Sequence, residues 1–246
     1  MSNTPPCPIC ESPHTLFARA LADGADRPLV DLFVCLACRS AASPWAEPIR
    51  PHSALSWHIQ VAQRNAEYAN SLFHDLGLAC PVVLDIGCGT GTLIAAARAL
   101  GGGGVGFDVD EASCAYGRDL GLDLRAELWR PTSAIPPVNL ITCIMVLEHL
   151  HQPRPLLGEL IEASNRYRCP LFVAVPFFTR AWWRYLTEPV SVEFHPFRDP
   201  RIHVSHFSPE GFEIAANALG AQSVKPLLGR KGWPGYLVND LFNPAA

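Results

Sequence analysis

Residues 82–110 constrain the fold most. Val82-Val83-Leu84-Asp85-Ile86 is a short apolar run of the kind buried on both faces of a parallel sheet. It passes straight into Gly87-Cys88-Gly89-Thr90-Gly91, after which an alanine-rich helix is expected over Thr92 to Leu100. Val105-Gly106-Phe107 reads as a second strand that ends on Asp108. Strand, glycine turn, helix, strand and acid make up the nucleotide-binding half of a doubly wound α/β sheet. The glycines let the backbone approach a ligand where side chains would not fit. Asp108 lies 21 residues after Gly87, at the strand tip from which a carboxylate reaches ribose hydroxyls.

Glycine spacing alone would also suit a nicotinamide dehydrogenase. That fingerprint is G-x-G-x-x-G, whereas here the third glycine comes one residue early and position 92 is Thr. Asp85 stands two residues before the first glycine. Its charge would repel a pyrophosphate but suits the ammonium group of an amino-acid-bearing nucleoside. The chemistry points to S-adenosylmethionine rather than NAD.

The run Val83 to Gly91 resembles the first motif of class I S-adenosylmethionine-dependent methyltransferases, and Gly106-Phe107-Asp108-Val109-Asp110 resembles their second-strand motif. Val146-Leu147-Glu148-His149-Leu150 follows an expected buried strand at Leu140 to Met145. It resembles the Leu-Glu-His signature of the branch that holds ubiquinone-type O-methyltransferases and many natural-product and sugar methyltransferases. His203-Val204-Ser205-His206-Phe207-Ser208, with a helix over Pro209 to Leu219, is similar to a late motif of that branch. The resemblance runs from residue 53 to about 241, with the motifs in order.

What it implies is a Rossmann-like, doubly wound, seven-stranded mixed sheet ending in a hairpin near Gln222 to Leu227 and Tyr236 to Phe242. Gly87, Cys88, Gly89 and Gly91 would line the methionine and ribose part of the cofactor, with Asp85 anchoring the amino group through the loop. Asp108 would hold the ribose, Val109 would pack on the adenine, and Glu127 and Leu128, at the end of the third strand, would flank the adenine amino group. The family usually carries an acid where this chain has Asn139, at the opening of the fourth strand.

Methyl transfer is an in-line displacement at a sulfonium, so donor and nucleophile chiefly need positioning. A hydroxyl, phenol or acidic carbon must in addition lose a proton, and histidine is the natural base near neutral pH. His149, His203 and His206 are the candidates, with Glu148 as partner or orienter. The plainer reading of Glu148-His149 is a helix-start cap. His195, His203 and His206 have the form H-x7-H-x2-H, but three histidines on one segment are more often unrelated than a metal site.

Four of the nine cysteines stand at the front as Cys7-Pro-Ile-Cys10 and Cys35-Leu-Ala-Cys38. Each spacing lets one turn present two thiolates, and two such turns supply the tetrahedral sulfur set of a structural Zn²⁺. Leu16-Phe17-Ala18 and Leu29 to Val34 can form a hairpin between the pairs, turning at Asp23-Gly24. The alternative is unrelated cysteines or a redox dithiol. A similar ribbon stands before the catalytic domain of sugar C-methyltransferases. Cys80, Cys88, Cys114, Cys143 and Cys169 are most simply buried thiols.

A proline-rich linker, Pro44 to Pro51, follows the ribbon. Leu55, Ile59, Ala62, Ala66, Ala69 and Phe73 then recur at helical spacing over Ser53 to Leu76, and Gly77 closes that helix. The expected organisation is a four-cysteine zinc-ribbon module with linker at 1–50 and a methyltransferase domain at 51–246. Gly101 to Gly104 reads as a flexible helix exit. Between the fifth strand, Leu171 to Val175, and the late motif lies an insertion, Pro176 to Arg201. Its aromatics and arginines would wall an organic acceptor and hold a carboxylate or phosphate, or else cap the sheet.

Charge narrows the partners. The chain has 19 basic and 23 acidic residues and no run of Lys or Arg, and residues 1–50 carry four arginines against five acids, to which thiolates on zinc would add further negative charge. The electrostatic attraction that dominates nucleic-acid binding is missing, which disfavours an rRNA methyltransferase with a zinc module. The intact glycine turn and Asp108 argue against a non-catalytic scaffold. No apolar run approaches the roughly 20 residues of a membrane helix. The start, MSNTPPCPIC, has neither the basic nor the apolar part of a signal peptide. The expectation is a cytoplasmic enzyme that methylates oxygen or carbon of a small molecule.

Overall fold

The computed structural model describes residues 5–21, 29–43, 54–177, 203–227 and 233–240. The expected turn at Asp23-Gly24, the Pro44–Pro51 linker, residues 178–201 of the aromatic insertion with His195, and the end of the last expected strand at Phe242 lie outside them. In chain order the elements begin with β1 (Thr15–Leu21), β2 (Leu29–Cys35), β3 (Ala41–Ala42), α1 (Ala54–Asp75), β4 (Val82–Ile86), α2 (Thr92–Ala99), β5 (Gly103–Phe107) and α3 (Glu111–Asp119). There follow β6 (Leu124–Arg125), β7 (Leu140–Ile144), a 3-10 turn (Leu147–His149), α4 (Pro153–Tyr167) and β8 (Leu171–Ala174). The last are β9 (Ser205–His206), α5 (Pro209–Ala218), β10 (Val224–Leu227) and β11 (Gly235–Val238).

The chain divides into two compact units, one of Met1–Arg50, Leu147–Leu157 and Val175–Leu219, the other of Pro51–Val146, Gly158–Ala174 and Gly220–Ala246. The second unit holds a seven-stranded sheet in the order β10-β11-β8-β7-β4-β5-β6. β8, β7, β4, β5 and β6 run parallel, and β11 and β10 close one edge antiparallel. This is the doubly wound mixed sheet expected from the sequence, hairpin included. Its core forms where α1 and α2 lay Ala69, Leu72, Phe73, Leu93, Ala96 and Ala97 on Val83, Leu140 and Phe172 of the sheet. α1 stops at a left-handed Gly77 (φ 64°), with Leu78 N–H returning to the Phe73 carbonyl at 2.9 Å.

Two readings are corrected here. Only the first half of the glycine run is a helix exit, with Gly101 and Gly102 leaving α2, because Gly103 and Gly104 are strand residues that pair with Val82 and Val83 of β4. A Cβ on Gly104, at φ 141°, would come within 2.0 Å of the Val83 carbonyl oxygen, so only glycine lets β5 start this close to β4. Cys80 is exposed rather than buried, with its thiol on the Gly101 carbonyl at 3.1 Å; Cys88, Cys114, Cys143 and Cys169 are buried as expected.

The first unit holds a four-stranded sheet in the order β1-β2-β3-β9. The β1–β2 hairpin pairs in register from Thr15↔Cys35 to Leu21↔Leu29. β3 then pairs with β9, Ala41 opposite His206. The compact unit that contains the four cysteines therefore extends past residue 50 to include the late His203–Ser208 motif and α5. Among the described residues no helix is long and apolar enough to cross a membrane.

Candidate functional site

The glycine turn is built at the carboxyl end of β4. Gly87, Gly89 and Gly91 have φ of 77°, 52° and 78°, all in the left-handed region that a side chain disfavours. Gly91 is the N-cap of α2. A Cβ on Gly87 would lie 2.2 Å from a Val146 methyl, and one on Gly89 would lie 2.5 Å from the His58 ring. The three glycines are thus required by both conformation and space.

Two carboxylates meet at this turn. Asp108, at the tip of β5, accepts the Gly89 N–H at 2.8 Å through Oδ2 and the Asp110 N–H at 2.9 Å through Oδ1, which ties the two motif strands together. Asp85 is buried inside the sheet, and Thr142 Oγ1 donates to its Oδ1 at 2.7 Å. Burial, with the Asp108 charge adding to it and the Thr142 hydroxyl opposing it, raises the Asp85 carboxyl to about 7. Cys88 is buried below the turn in an apolar cluster with Ile94, Cys114, Leu122 and Leu124.

Val109 is 58% exposed. Glu127 and Leu128 do not end the third strand, because β6 stops at Arg125. Both are exposed residues in the bend beyond it, where Arg125 turns back over the Phe107 ring at 5.2 Å.

Sequence reasoning passed over two participants in the turn. Thr142 left a signal, as a polar residue within the buried run Leu140–Ile144 that needs a polar neighbour. His58 left none, since nothing in the α1 periodicity sets it apart. Its imidazole packs on Gly89, and burial lowers its pKa while the nearby Asp108 and Asp110 oppose that shift.

Asn139 does not stand in for a lost ligand. Its Oδ1 accepts the Val82 N–H at 2.7 Å and its Nδ2 donates to the Cys80 carbonyl at 3.1 Å, so it secures the start of β4.

In the other unit the four sulfurs of Cys7, Cys10, Cys35 and Cys38 gather within 4.8 Å of one another. Cys7 and Cys38 Sγ are 3.8 Å apart and Cys10 and Cys35 Sγ 3.5 Å, too far for a disulfide. A tetrahedron with metal–sulfur bonds of about 2.3 Å has edges of about 3.8 Å, so the cluster has the size of a Zn²⁺ site. Arg154 caps one cysteine turn, donating to the Ile9 carbonyl at 2.9 Å and pairing with Glu11 at 3.1 Å. Ser208, the N-cap of α5, braces the other: its hydroxyl donates to the Cys38 carbonyl and accepts the Gly211 N–H at 2.8 Å. The cavity of about 100 Å³ in this unit, lined by Pro5, Cys7, Phe33, Ala42, His151 and Val204 among others, is small for an organic ligand.

Glu148, His149 and His203 also come together in this unit. Glu148 and His149 share the 3-10 turn, and the Val204 N–H donates to the Glu148 carbonyl at 2.8 Å, which brings His203 alongside. The His149 and His203 rings stand edge to face with centroids 5.0 Å apart. Glu148 is buried, and burial lifts its carboxyl to about 8. His206 is buried as well, and that burial, with His203 beside it, holds its pKa at about 3. It stays neutral and is a poor proton acceptor.

The family described as methyltransferase domain matches residues 57–225. No curated protein matches the chain. Among solved structures, TnmH aligns at a TM-score of 0.54 with 16% identity, over 77% of this chain and 58% of TnmH. An O-methyltransferase family protein from Burkholderia thailandensis aligns at a TM-score of 0.50 with 13% identity, over 74% of this chain and 57% of that one. The chain spans less than two thirds of either protein's length, and at these identities the likeness is one of fold.

Proposed function

Because the chain belongs to the methyltransferase-domain family, we propose that it transfers a methyl group from S-adenosylmethionine to oxygen or carbon of a small molecule of natural-product, quinone-like or sugar type. The observation that carries this reading is the pair of carboxylates at the glycine turn. With Asp85 buried and its pKa raised further by Asp108, a second anion there is disfavoured and a cation favoured. A dinucleotide would bring a pyrophosphate, whereas S-adenosylmethionine brings an ammonium and a sulfonium.

S-adenosylmethionine, when bound, supplies a methyl group made electrophilic by the sulfonium. Asp85 would face the ammonium through the loop. Asp108 would hold the ribose with the lone pairs that Gly89 and Asp110 leave over. Gly87, Cys88, Gly89 and Gly91 would offer backbone to the methionine part, Val109 would pack on the adenine, and Glu127 and Leu128 would flank its amino group. Glu148, His149 and His203 would manage the proton of the acceptor. Cys7, Cys10, Cys35 and Cys38 would hold a structural Zn²⁺, with the module of residues 1–50 serving the methyltransferase domain of 51–246 in a cytoplasmic protein. The acidic balance of the chain supports a small-molecule acceptor over RNA.

Calorimetric titration with S-adenosylhomocysteine, run beside Asp108→Asn and with zinc content assayed, tests the reading. Micromolar binding that the substitution weakens is the expected result. No binding by folded, zinc-loaded protein would sink it.

A further inference from the structure

Besides the four cysteines, the described residues hold one other group of metal-ligating side chains. Glu148, His149 and His203 each offer a donor atom within 4.8 Å of the other two. The Glu148 side chain is 1% exposed, and neither of its carboxylate oxygens has a hydrogen-bond partner among the described residues. A carboxylate taken from water ordinarily finds donors or a cation, because its desolvation is otherwise uncompensated. The helix-cap reading does not supply them, since a capping side chain accepts N–H groups of the following turn, whereas the one backbone donor near this carboxylate is Glu148's own N–H, outside hydrogen-bond geometry. It is the Glu148 main-chain carbonyl that takes the Val204 N–H. His149 does not supply them either, for its Nε2 is 4.0 Å from Glu148 Oε1, beyond hydrogen-bond range.

We propose that Glu148, His149 and His203 bind a divalent first-row transition ion as a three-ligand site separate from the cysteine cluster. Imidazole and carboxylate together are the donor set of Zn²⁺, Co²⁺, Ni²⁺ and Mn²⁺ rather than of the alkaline-earth ions. Bonds of about 2.0–2.2 Å place adjacent donors about 3–4 Å apart. Glu148 Oε1 and His149 Nε2, 4.0 Å apart, stand at the upper end of that range, and His203 completes the set within 4.8 Å of both. The backbone beneath is already fixed: Val204 N–H bonds to the Glu148 carbonyl at 2.8 Å, and the Ser205 hydroxyl to the Leu150 carbonyl at 2.6 Å. Among the described residues three donors serve the site, which leaves coordination positions open in the pattern of a working site rather than a structural one.

The proposal rests on the methyl-transfer reading for its use, though not for its existence. An ion held there would coordinate an acceptor oxygen and lower its pKa, the proton passing to bulk water in place of the histidines, whose lone pairs the ion would engage.

The test is a Co²⁺ titration of the zinc-loaded 246-residue chain, followed by absorption and calorimetry, with S-adenosylhomocysteine titrated in parallel. The expected result is one further equivalent per chain, with d–d bands of a nitrogen–oxygen site and no sulfur-to-cobalt charge transfer. Glu148→Gln, which keeps the side-chain volume, and His149→Ala, at a part-exposed position, should each weaken Co²⁺ at least about tenfold, the loss that even outer-shell changes produce. Absence of the second equivalent, or its survival in both variants, overturns the site. Protein that takes Co²⁺ but not S-adenosylhomocysteine keeps the metal site and loses the methyl-donor reading. Protein that does the reverse keeps the donor and loses the metal.

Discussion

Replacing Asp85 with Asn separates what this residue does for the ligand-free fold from what it does for the ligand. Burial first, and the Asp108 charge second, raise its carboxyl from 3.8 to about 7, against the lowering effect of the Thr142 hydroxyl. A group whose folded pKa is raised contributes fully to stability below its unfolded pKa and loses that contribution as pH climbs through the folded value. Between those two pH values the unfolded chain gives up the proton and the folded chain keeps it, so wild-type stability falls by ~1.4 kcal/mol per pH unit from this residue alone. The shift as a whole is worth as much as ~4 kcal/mol above neutrality.

Asn carries no charge to desolvate and can still accept the Thr142 hydroxyl. Urea unfolding of both proteins at about pH 5 and about pH 8 should therefore show Asp85→Asn the more stable, with the gap widening by about 2–3 kcal/mol over that interval. S-adenosylhomocysteine should close the gap from the other side: its ammonium stabilises the Asp85 carboxylate and adds stability by mass action to wild type, but little to the variant. A gap that does not change with pH, or a wild type more stable than the variant at about pH 8 without ligand, would refute the argument from burial and like charge.

Gly89→Ala should lose about 1–2 kcal/mol to left-handed strain and more to the His58 ring, which its Cβ would approach to 2.5 Å. In the double-mutant cycle His58→Ala should restore the steric share, and additive losses in thermal unfolding would show that the contact is not felt. Asn139→Ala should cost about 0.5–1.5 kcal/mol, chiefly through the part-buried bond to the Val82 N–H since the Cys80 carbonyl is open to water, and leave S-adenosylhomocysteine affinity unchanged. A loss of affinity without a loss of stability would instead make the residue a ligand. Cys10→Ser with Cys35→Ser should take zinc from one equivalent per chain to none by elemental assay and lower the unfolding temperature; zinc retained in full would remove the cysteines as its ligands.

The parts of this protein legible in its sequence are those where local chemistry and global position coincide. The turn from Gly87 to Gly91 has to be glycine for its φ angles and for Val146 and His58 overhead, so composition and conformation give the same answer. The paired Cys-x-x-Cys turns are legible for a similar reason, because each turn fixes two sulfurs before tertiary structure joins them. Glu148 was visible only as half of a motif. The turn that carries it packs against the strand Ser205–His206, more than fifty residues downstream, whose neighbour Val204 bonds to its carbonyl. No local pattern records that encounter.

Asn139 shows the opposite case. The family's usual acid leaves the position open between a ligand and a structural role, and two hydrogen bonds at the foot of β4 account for an amide here. The Val82 N–H needs an acceptor and the Cys80 carbonyl a donor, and Asn supplies both where Asp could supply only the first. Cys80 follows from the same geometry: with its carbonyl held by Asn139 and its thiol on the Gly101 carbonyl, it sits at the exposed rim of the sheet rather than in the core. Departure from a family pattern is therefore evidence about function only after the backbone groups around the residue have been accounted for. At Asn139 that accounting leaves nothing over, whereas at Glu148 it leaves two buried carboxylate oxygens.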